Sequence, residues 1–234
     1  MQSYTAGMSV TIEPITSQIY LGNALDVLRM LPDNSIDLIL SDPPYGINYL
    51  SRSHSLPLTK IEGDDDDAYK LLDETLAIAY DKLKPDRHVY IFTNWQAFSG
   101  MAPIVKKYFK LKGALAWIKN NRTRGDLKGN YGYQYEMVLY AHKGRRWLLG
   151  KRDSDVLQFD KVPTQAMQHP TEKPVALLKY LIEKSTLPGE VVLDPFMGSG
   201  SAGEAALASG RRFLGIEMEP TWFEVAKKRL RAIP

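Results

Sequence analysis

The chain has 234 residues, of which 44% are hydrophobic and 24% charged, and its formal net charge is +3. This composition is typical of a globular protein with a sizeable core, so we expect one domain over residues 1–234. The absence of cysteine excludes disulfides, thiolate metal sites and a cysteine nucleophile. No apolar run reaches the roughly 18 residues of a membrane span, and the first residues lack a signal-peptide pattern. We therefore expect a cytoplasmic protein of a bacterium, archaeon or phage, with no membrane partner and no metal.

The predicted elements alternate between helices and strands. This alternation favours an α/β fold with a doubly wound, mostly parallel sheet. An N-terminal arm over residues 1–17 shows no periodicity, and the polar stretch 46–63 is long enough to predict a mobile flap over a substrate. The other predictions, in chain order, are a helix over 24–31, a strand over 36–40, a helix over 68–83, a strand over 89–93, a helix over 96–108, strands over 114–118 and 136–141, a helix over 174–185, strands over 191–194 and 212–216, and a helix over 221–231.

An Asp-Pro-Pro-Tyr turn follows the apolar run 36–40, which is typical of a fully buried parallel strand. Two prolines stop the strand and remove two N–H donors, which leaves carbonyl oxygens free to face a ligand. Because open α/β sheets bind ligands at the carboxyl ends of their strands, we predict a catalytic loop here. The plain alternative is a Pro-Pro turn with a packed tyrosine. The candidate catalytic residues are Asp42, Pro43, Pro44 and Tyr45.

A second buried strand, 191–194, runs into the glycine-rich turn 195–203. Glycines let the backbone approach a ligand closely and adopt positive φ. The next predicted strand, 212–216, is followed by Glu217, an acid placed to bind both hydroxyls of a ribose. The turn also satisfies the dinucleotide fingerprint of a dehydrogenase. A single match is weak, however, and a dehydrogenase would leave the Asp-Pro-Pro-Tyr turn unexplained.

The two motifs together resemble those of the amino-directed DNA methyltransferases, which use S-adenosylmethionine to methylate adenine N6 or cytosine N4. Their order, with Asp-Pro-Pro-Tyr early and the glycine turn late, resembles the circularly permuted beta-type group. Segments 83–85, 135–141 and 168–174 also resemble family segments, so the similarity runs from Ile19 to Leu230. The resemblance implies a Rossmann-like sheet of seven strands with a catalytic half (19–118), a basic target-recognition region (119–168) and a cofactor half (169–234).

The resemblance also implies roles for the motif residues. The Asp42 carboxylate and the Pro43 carbonyl accept the hydrogens of the target amino group, and Tyr45 stacks on a base rotated out of the duplex. His169 is expected to be structural rather than a general base. The expected cofactor contacts are Asp194, Pro195, Phe196, Gly198 and Gly200 at the methionine part, Glu217 at the ribose, Asn23, Ala24 and Leu25 near the adenine, and Thr171 and Lys173 at the carboxylate. The family usually carries Asp where Asn23 stands.

Positive charge is concentrated in residues 119–152, which carry nine basic and two acidic side chains, a net +7 that leaves −4 for the rest of the chain. This asymmetry is typical of a phosphate-binding face, although an ordinary solvated surface fits the same count. The acidic run 64–67 is expected to be a solvated loop and helix start. The candidate DNA contacts are Lys119, Arg122, Arg124, Lys128, Arg145, Arg146, Lys151 and Arg152, with Trp147 among them.

The substrate implied by the resemblance is double-stranded DNA. Asp before Pro-Pro-Tyr favours adenine, because cytosine-N4 enzymes of the family often carry Ser there. Three alternatives stay open: a cytosine-N4 enzyme, an RNA or protein amide methyltransferase, and a non-catalytic DNA-binding relic. The group also admits a homodimer and a separate restriction endonuclease as partners, and it favours association with the nucleoid.

Overall fold

The computed structural model describes residues 9–12, 17–46, 67–122, 128–163, 165–169 and 171–233. The strands are β1 (Ser9–Ile12), β2 (Ser17–Leu21), β3 (Ile36–Ser41), β4 (Leu83–Thr93), β5 (Lys110–Ile118), β6 (Tyr135–Lys143), β7 (Val156–Gln158), β8 (Val191–Asp194) and β9 (Arg212–Glu217). The helices are α1 (Ala24–Met30), α2 (Ala68–Lys82), α3 (Phe98–Tyr108), α4 (Val175–Ser185), α5 (Ser201–Leu207) and α6 (Pro220–Arg231).

The described strands form one sheet in the order β1-β2-β9-β8-β3-β4-β6-β5-β7. The central strands β2, β9, β8, β3 and β4 are parallel to one another, and β6 is antiparallel to both of its neighbours. The predicted α/β fold with a doubly wound, mostly parallel sheet is therefore confirmed. The expected number of seven strands is wrong, because the described residues contain nine. Three of the nine were not predicted from the periodicity: β2 and the short edge strands β1 and β7.

Two apolar layers hold the helices against the sheet. Because successive side chains of a strand point to opposite faces, Leu38 and Leu40 pack with α4, α5 and α6, whereas Ile39 packs with α1, α2 and α3. Every residue of β3 is buried, which explains why this strand is apolar apart from Asp37 and the last residue, Ser41. The helices thus cover both faces and leave the strand ends as the accessible edges of the sheet.

Strand β4 begins at Leu83 rather than at the predicted Val89. The sequence argues against an early start because Pro85 and two charged residues follow. Pairing with β3 on one side and β6 on the other overrides that local preference, and the register shift between Ile36 and Leu38 accommodates the proline as a bulge. The N-terminal arm likewise contains β1, which pairs with β2, where no element was predicted. The predicted flap falls outside the described residues, apart from Gly46.

The two motif strands are neighbours. Leu38 of β3 pairs with Val192 of β8, and Ile39 pairs with Leu193, in parallel. The turns that follow these strands therefore leave the sheet side by side, although their motifs are far apart in the sequence. We refer to this edge, where β3, β8 and β9 end, as the carboxyl edge.

Candidate active site

Three carboxylates meet at the carboxyl edge. Asp42 directly follows β3, Asp194 is the last residue of β8, and Glu217 is the last residue of β9. Since β3, β8 and β9 are adjacent and parallel, their ends lie on one edge of the sheet. The structure thus brings the Asp-Pro-Pro-Tyr turn and the glycine-rich turn together.

The Asp42 carboxylate has a partner at each oxygen. Oδ1 accepts a hydrogen bond from the Tyr45 hydroxyl at 2.6 Å, and Oδ2 accepts one from Lys173 Nζ at 2.5 Å. The Asp42 side chain is 21% exposed, whereas that of Lys173 is 6% exposed. Burial raises the pKa of Asp42 above its usual value; the Lys173 ammonium opposes this effect and the charge of Glu136 adds to it. Pro43 beside it is buried.

Lys173 belongs to a half-buried series of alternating charges, which we call the ion network: Asp42, Lys173, Glu136 and Lys119. The Lys173 ammonium lies 3.4 Å from Glu136 Oε2, and Lys119 donates to Glu136 Oε1. Glu136 lies near the start of β6 and Lys119 directly follows β5, so the antiparallel pairing of these strands places both at the carboxyl edge. Burial raises the pKa of Glu136, but Lys173 and Lys119 outweigh burial and lower it below its usual value.

The ion network changes two expectations. Lys173 was expected at a cofactor carboxylate and Lys119 at a DNA phosphate, yet in this structure both ammonium groups neutralise buried carboxylates. The physical reason is that a buried carboxylate without a counter-ion is strongly destabilising. Glu136 was not predicted as a site residue at all. The signal that could have found it is a single acid within the otherwise apolar strand segment 135–141.

The glycine-rich turn is tied to the end of β9. Gly198 and Gly200 have φ of +53° and +82°, which favours glycine at both positions. The Gly198 N–H donates to Glu217 Oε2 at 2.9 Å, and the Glu219 N–H donates to Glu217 Oε1 at 2.8 Å. Burial raises the pKa of Glu217. The turn and the acid at the strand tip therefore form one connected unit.

Asp194 is the most deeply buried of the three acids. Its Oδ1 accepts a hydrogen bond from the Phe196 N–H at 3.1 Å across Pro195, which shapes the first half of the turn. Burial raises the pKa of Asp194 to about 8, and the nearby charges of Asp42 and Glu217 add to that effect. Three acids at adjoining strand ends suit a ligand that carries positive charge.

The remaining predicted cofactor residues lie around the same edge. Asn23 follows β2 and caps α1, because its Oδ1 accepts the Leu25 N–H at 2.8 Å. The preceding Gly22 donates its N–H to the Glu217 carbonyl, which brings the start of α1, with Ala24, next to β9.

His169 and Thr171 form a separate contact beside the glycine turn. The Thr171 N–H donates to His169 Nδ1 at 3.3 Å, and the His169 ring packs on Trp222 at 4.4 Å between centroids. Burial lowers the pKa of His169 to about 4. The neutral ring is thereby fixed by packing, in line with the structural role expected for it.

The basic segment does not form one face, which corrects the sequence interpretation. Strand β6 starts at the carboxyl edge and ends at the opposite edge, where Lys143 pairs with Arg87. Residues 144–152 therefore lie away from Asp42. The Arg145 N–H donates to Asp86, Arg146 pairs with Glu190 at 2.8 Å, and Lys184 at the end of α4 donates to the Lys151 carbonyl.

Only part of the predicted DNA contacts lies at the carboxyl edge. Arg122 follows β5 and Lys128 precedes β6, so both belong to the connection at that edge. Arg124 lies outside the described residues. The contacts expected from Arg145, Arg146, Lys151, Arg152 and Trp147 are not supported, because the chain carries these residues to the other edge or back along α4.

Within the described part of the chain, no helix is long and apolar enough to cross a membrane. The same residues contain no group of three or more side chains that could hold a metal ion. A doubly wound sheet with an acidic turn, a glycine-rich turn and a strand-tip acid together at the carboxyl ends of its strands is a ligand-binding arrangement, and it is the one that the resemblance to the S-adenosylmethionine-dependent methyltransferases implies.

Comparison with known proteins makes the assignment specific. The family of DNA methylases that act on adenine N6 or cytosine N4 matches residues 36–228. YubD of Escherichia coli (strain K12) is 35% identical over 218 residues, covering 93% of this chain and 91% of YubD. The DNA adenine methyltransferase YhdJ of the same organism is 30% identical over 244 residues, covering 89% of this chain and 81% of YhdJ. The chain therefore belongs to the N6-adenine/N4-cytosine DNA methyltransferase family.

The fold comparison agrees with this assignment. The crystal structure of the M1.HpyAVI–SAM complex superposes with a TM-score of 0.72 at 28% identity, covering 91% of this chain and 98% of that one. The protein is a DNA methyltransferase that uses S-adenosylmethionine. The dehydrogenase and the RNA or protein amide methyltransferase considered from the sequence are set aside by the family match.

Proposed function

We propose that the protein methylates the exocyclic N6 amino group of adenine in double-stranded DNA, after rotating the base out of the duplex. The observation that carries this proposal is Asp42, an acid on a turn that leaves the sheet next to the glycine turn. An exocyclic amino group is a poor nucleophile because its lone pair is delocalised into the ring. Acceptors aimed at its hydrogens favour tetrahedral geometry and localise that lone pair.

Each residue of the site has a role in this proposal. The Asp42 carboxylate and the Pro43 carbonyl accept the amino hydrogens, while Pro44 keeps the turn rigid. Tyr45 stacks on the rotated base, and stacking of this kind contributes about 1–3 kcal/mol per base. When bound, S-adenosylmethionine supplies the methyl group. The residues that would hold it are Asn23, Ala24, Leu25, Thr171, Asp194, Pro195, Phe196, Gly198, Gly200 and Glu217.

Adenine is favoured over cytosine for two reasons. Asp rather than Ser precedes Pro-Pro-Tyr in this chain, and the relative YhdJ is by name a DNA adenine methyltransferase. Methylation of cytosine N4 is the second candidate, because the family includes both activities.

A homodimer and a separate restriction endonuclease stay predictions.

We infer that the DNA backbone is contacted at the carboxyl edge, by Arg122 and Lys128. Aromatic side chains accompany them there. Tyr131 is 92% exposed and Trp95, just after β4, is 49% exposed, with the Trp95 ring 5.8 Å from that of Tyr133. Basic side chains interleaved with exposed aromatics are what a protein needs to hold phosphates and unstacked bases.

The test is to incubate the purified protein with S-adenosylmethionine and unmethylated DNA, and to analyse the nucleosides by mass spectrometry. We expect N6-methyladenine. Sequencing of the modified positions then gives the recognition sequence. N4-methylcytosine alone would assign the second candidate instead, and neither product from an active, folded preparation would overturn the proposal.

The matched control is Asp42→Ala, assayed under the same conditions. Its methyl transfer should fall by roughly 10³-fold, since one preorganised acceptor is lost. Its affinity for S-adenosylmethionine, measured by calorimetry, should be retained within a few fold. If Asp42→Ala methylates DNA at the wild-type rate, the Asp42 carboxylate has no part in the mechanism.

A further inference from the structure

Lys173 and the target amino group would both donate hydrogen bonds to the Asp42 carboxylate. In the proposed reaction it must accept a hydrogen of the target amino group, yet both of its oxygens already accept hydrogen bonds, from Tyr45 and Lys173. A carboxylate oxygen paired with an ammonium is a weaker acceptor for a neutral amino group, because the lysine charge draws its lone pairs. Lys173 therefore competes directly with the substrate for Asp42.

Glu136 offers the lysine another partner. Its Oε2 is buried and makes no hydrogen bond of good geometry within the described part of the chain, although it forms an ion pair with the Lys173 ammonium 3.4 Å away. Its other oxygen is already occupied by Lys119. A buried acceptor without a hydrogen bond is costly, and here it lies within a small movement of a buried donor.

We propose that Glu136 is a positioning residue that takes the Lys173 ammonium from Asp42 when the target amino group enters the site. No proton is transferred and no covalent bond changes. The ammonium exchanges one carboxylate partner for another, and Asp42 Oδ2 becomes available to the amino hydrogen. This inference rests on the proposed function, because it assigns the event to the arrival of the base.

The charges around Lys173 make the exchange inexpensive. Moving a buried ammonium away from its only counter-ion would be strongly unfavourable. Here the ion network contains two carboxylates and two ammonium groups, so Lys173 remains paired at either end of its movement. The ring of Phe92, 5.3 Å from the ammonium, and that of Tyr45, 5.9 Å away, add cation–π contacts that keep it between the two acids.

The test compares Glu136→Gln with Glu190→Gln. The two glutamates are matched, because their side chains are 20% and 18% exposed and each contacts two cationic side chains. Glu190 lies before β8 at the edge opposite Asp42 and has no part in the proposed reaction. In single-turnover methylation at the recognition sequence, Glu136→Gln should be slowed by about 10- to 100-fold. Glu190→Gln should keep the wild-type rate, and thermal unfolding should show comparable destabilisation of both variants.

A binding measurement supplies a second readout. Wild-type protein should bind a duplex with adenine at the target more tightly than one with purine, which lacks the amino group, by about 10-fold. In Glu136→Gln this ratio should fall towards one, because Lys173 stays on Asp42, while in Glu190→Gln it should be unchanged.

Different results would contradict the proposed function and the positioning role of Glu136. If the wild-type protein produces no methylated DNA, the proposed function is wrong. If the wild-type protein is active and Glu136→Gln matches Glu190→Gln in rate within about threefold and in its adenine-to-purine ratio, the positioning role is wrong.

Discussion

Gly200 illustrates how a single backbone conformation maintains the cofactor turn. It caps α5 at φ +82°, and an added Cβ would lie 3.0 Å from the Cβ of Ala226 on α6. Both the left-handed conformation and the close approach of α6 therefore require glycine. Gly189 has the same φ of +82°, but a Cβ there would meet nothing within 4 Å.

This pair of glycines allows a controlled measurement. Gly189→Ala should destabilise the protein by about 1–2 kcal/mol, the cost of a left-handed alanine. Gly200→Ala should cost more, because Ala226 must also shift, and it should weaken the affinity for S-adenosylmethionine, while Gly189→Ala should not. Chemical denaturation and calorimetry give the two quantities. Equal effects of both substitutions on cofactor affinity would contradict a local role for Gly200.

Strands β4 and β6 carry a buried polar cluster that has no part in the chemistry. His88 Nδ1 is 2.8 Å from Ser185 Oγ, and its Nε2 is 3.1 Å from the Arg146 carbonyl oxygen and 3.1 Å from the Tyr140 hydroxyl. The His142 ring packs against that of His88 at a tilt of 49°, with ring centroids 4.6 Å apart. Burial lowers the pKa of His88 to about 4, and the charges of His142, Arg146 and Arg87 also lower it.

The depressed pKa predicts a loss of stability in acid. Below a pH of about 6.5 the unfolded chain binds a proton at His88, whereas the folded protein does not until the pH nears 4. Stability should therefore fall as the pH drops through this window, by about 3 kcal/mol from this residue. His88→Gln, which cannot titrate, should show a correspondingly shallower decline in urea denaturation between pH 7 and 4. Parallel curves for the two proteins would contradict the assignment.

The whole molecule presents different charges at its two edges. The carboxyl edge combines the buried acids of the site with Arg122 and Lys128, whereas Arg145, Arg146 and Lys151 lie at the other edge, where Arg146 pairs internally. A net charge counted along the sequence cannot separate these groups, because β6 crosses the sheet between them. The DNA-binding prediction consequently moves to the connection between β5 and β6.

This placement makes a prediction about DNA affinity. Arg122→Ala and Lys128→Ala should each weaken duplex binding and reduce the slope of log affinity against log salt by about one. Arg145→Ala and Lys151→Ala should leave both quantities close to wild type. Fluorescence anisotropy over a salt series measures them. A larger loss of affinity in Arg145→Ala and Lys151→Ala would show that DNA binds at the opposite edge.

Many structural features of this protein can be predicted from its sequence, because the sequence signals for them are local. An apolar β-branched run predicts a buried strand, two prolines end it, and glycines mark a turn with positive φ. These properties depend on neighbouring residues alone, so the α/β fold, β3, β8 and the position of both motifs at strand ends were predicted. Strand boundaries such as the start of β4 were not, because pairing partners decide them.

The contacts of the site depended on the fold. Lys173 and Asp42 are 131 residues apart, and neither their pairing nor the part played by Glu136 follows from periodicity or composition. Charge–charge contacts act through space, so they are defined only when β3, β6 and the segment before α4 are assembled. For the same reason the basic segment looked like one face in the sequence, while the crossing of β6 divides it between two edges.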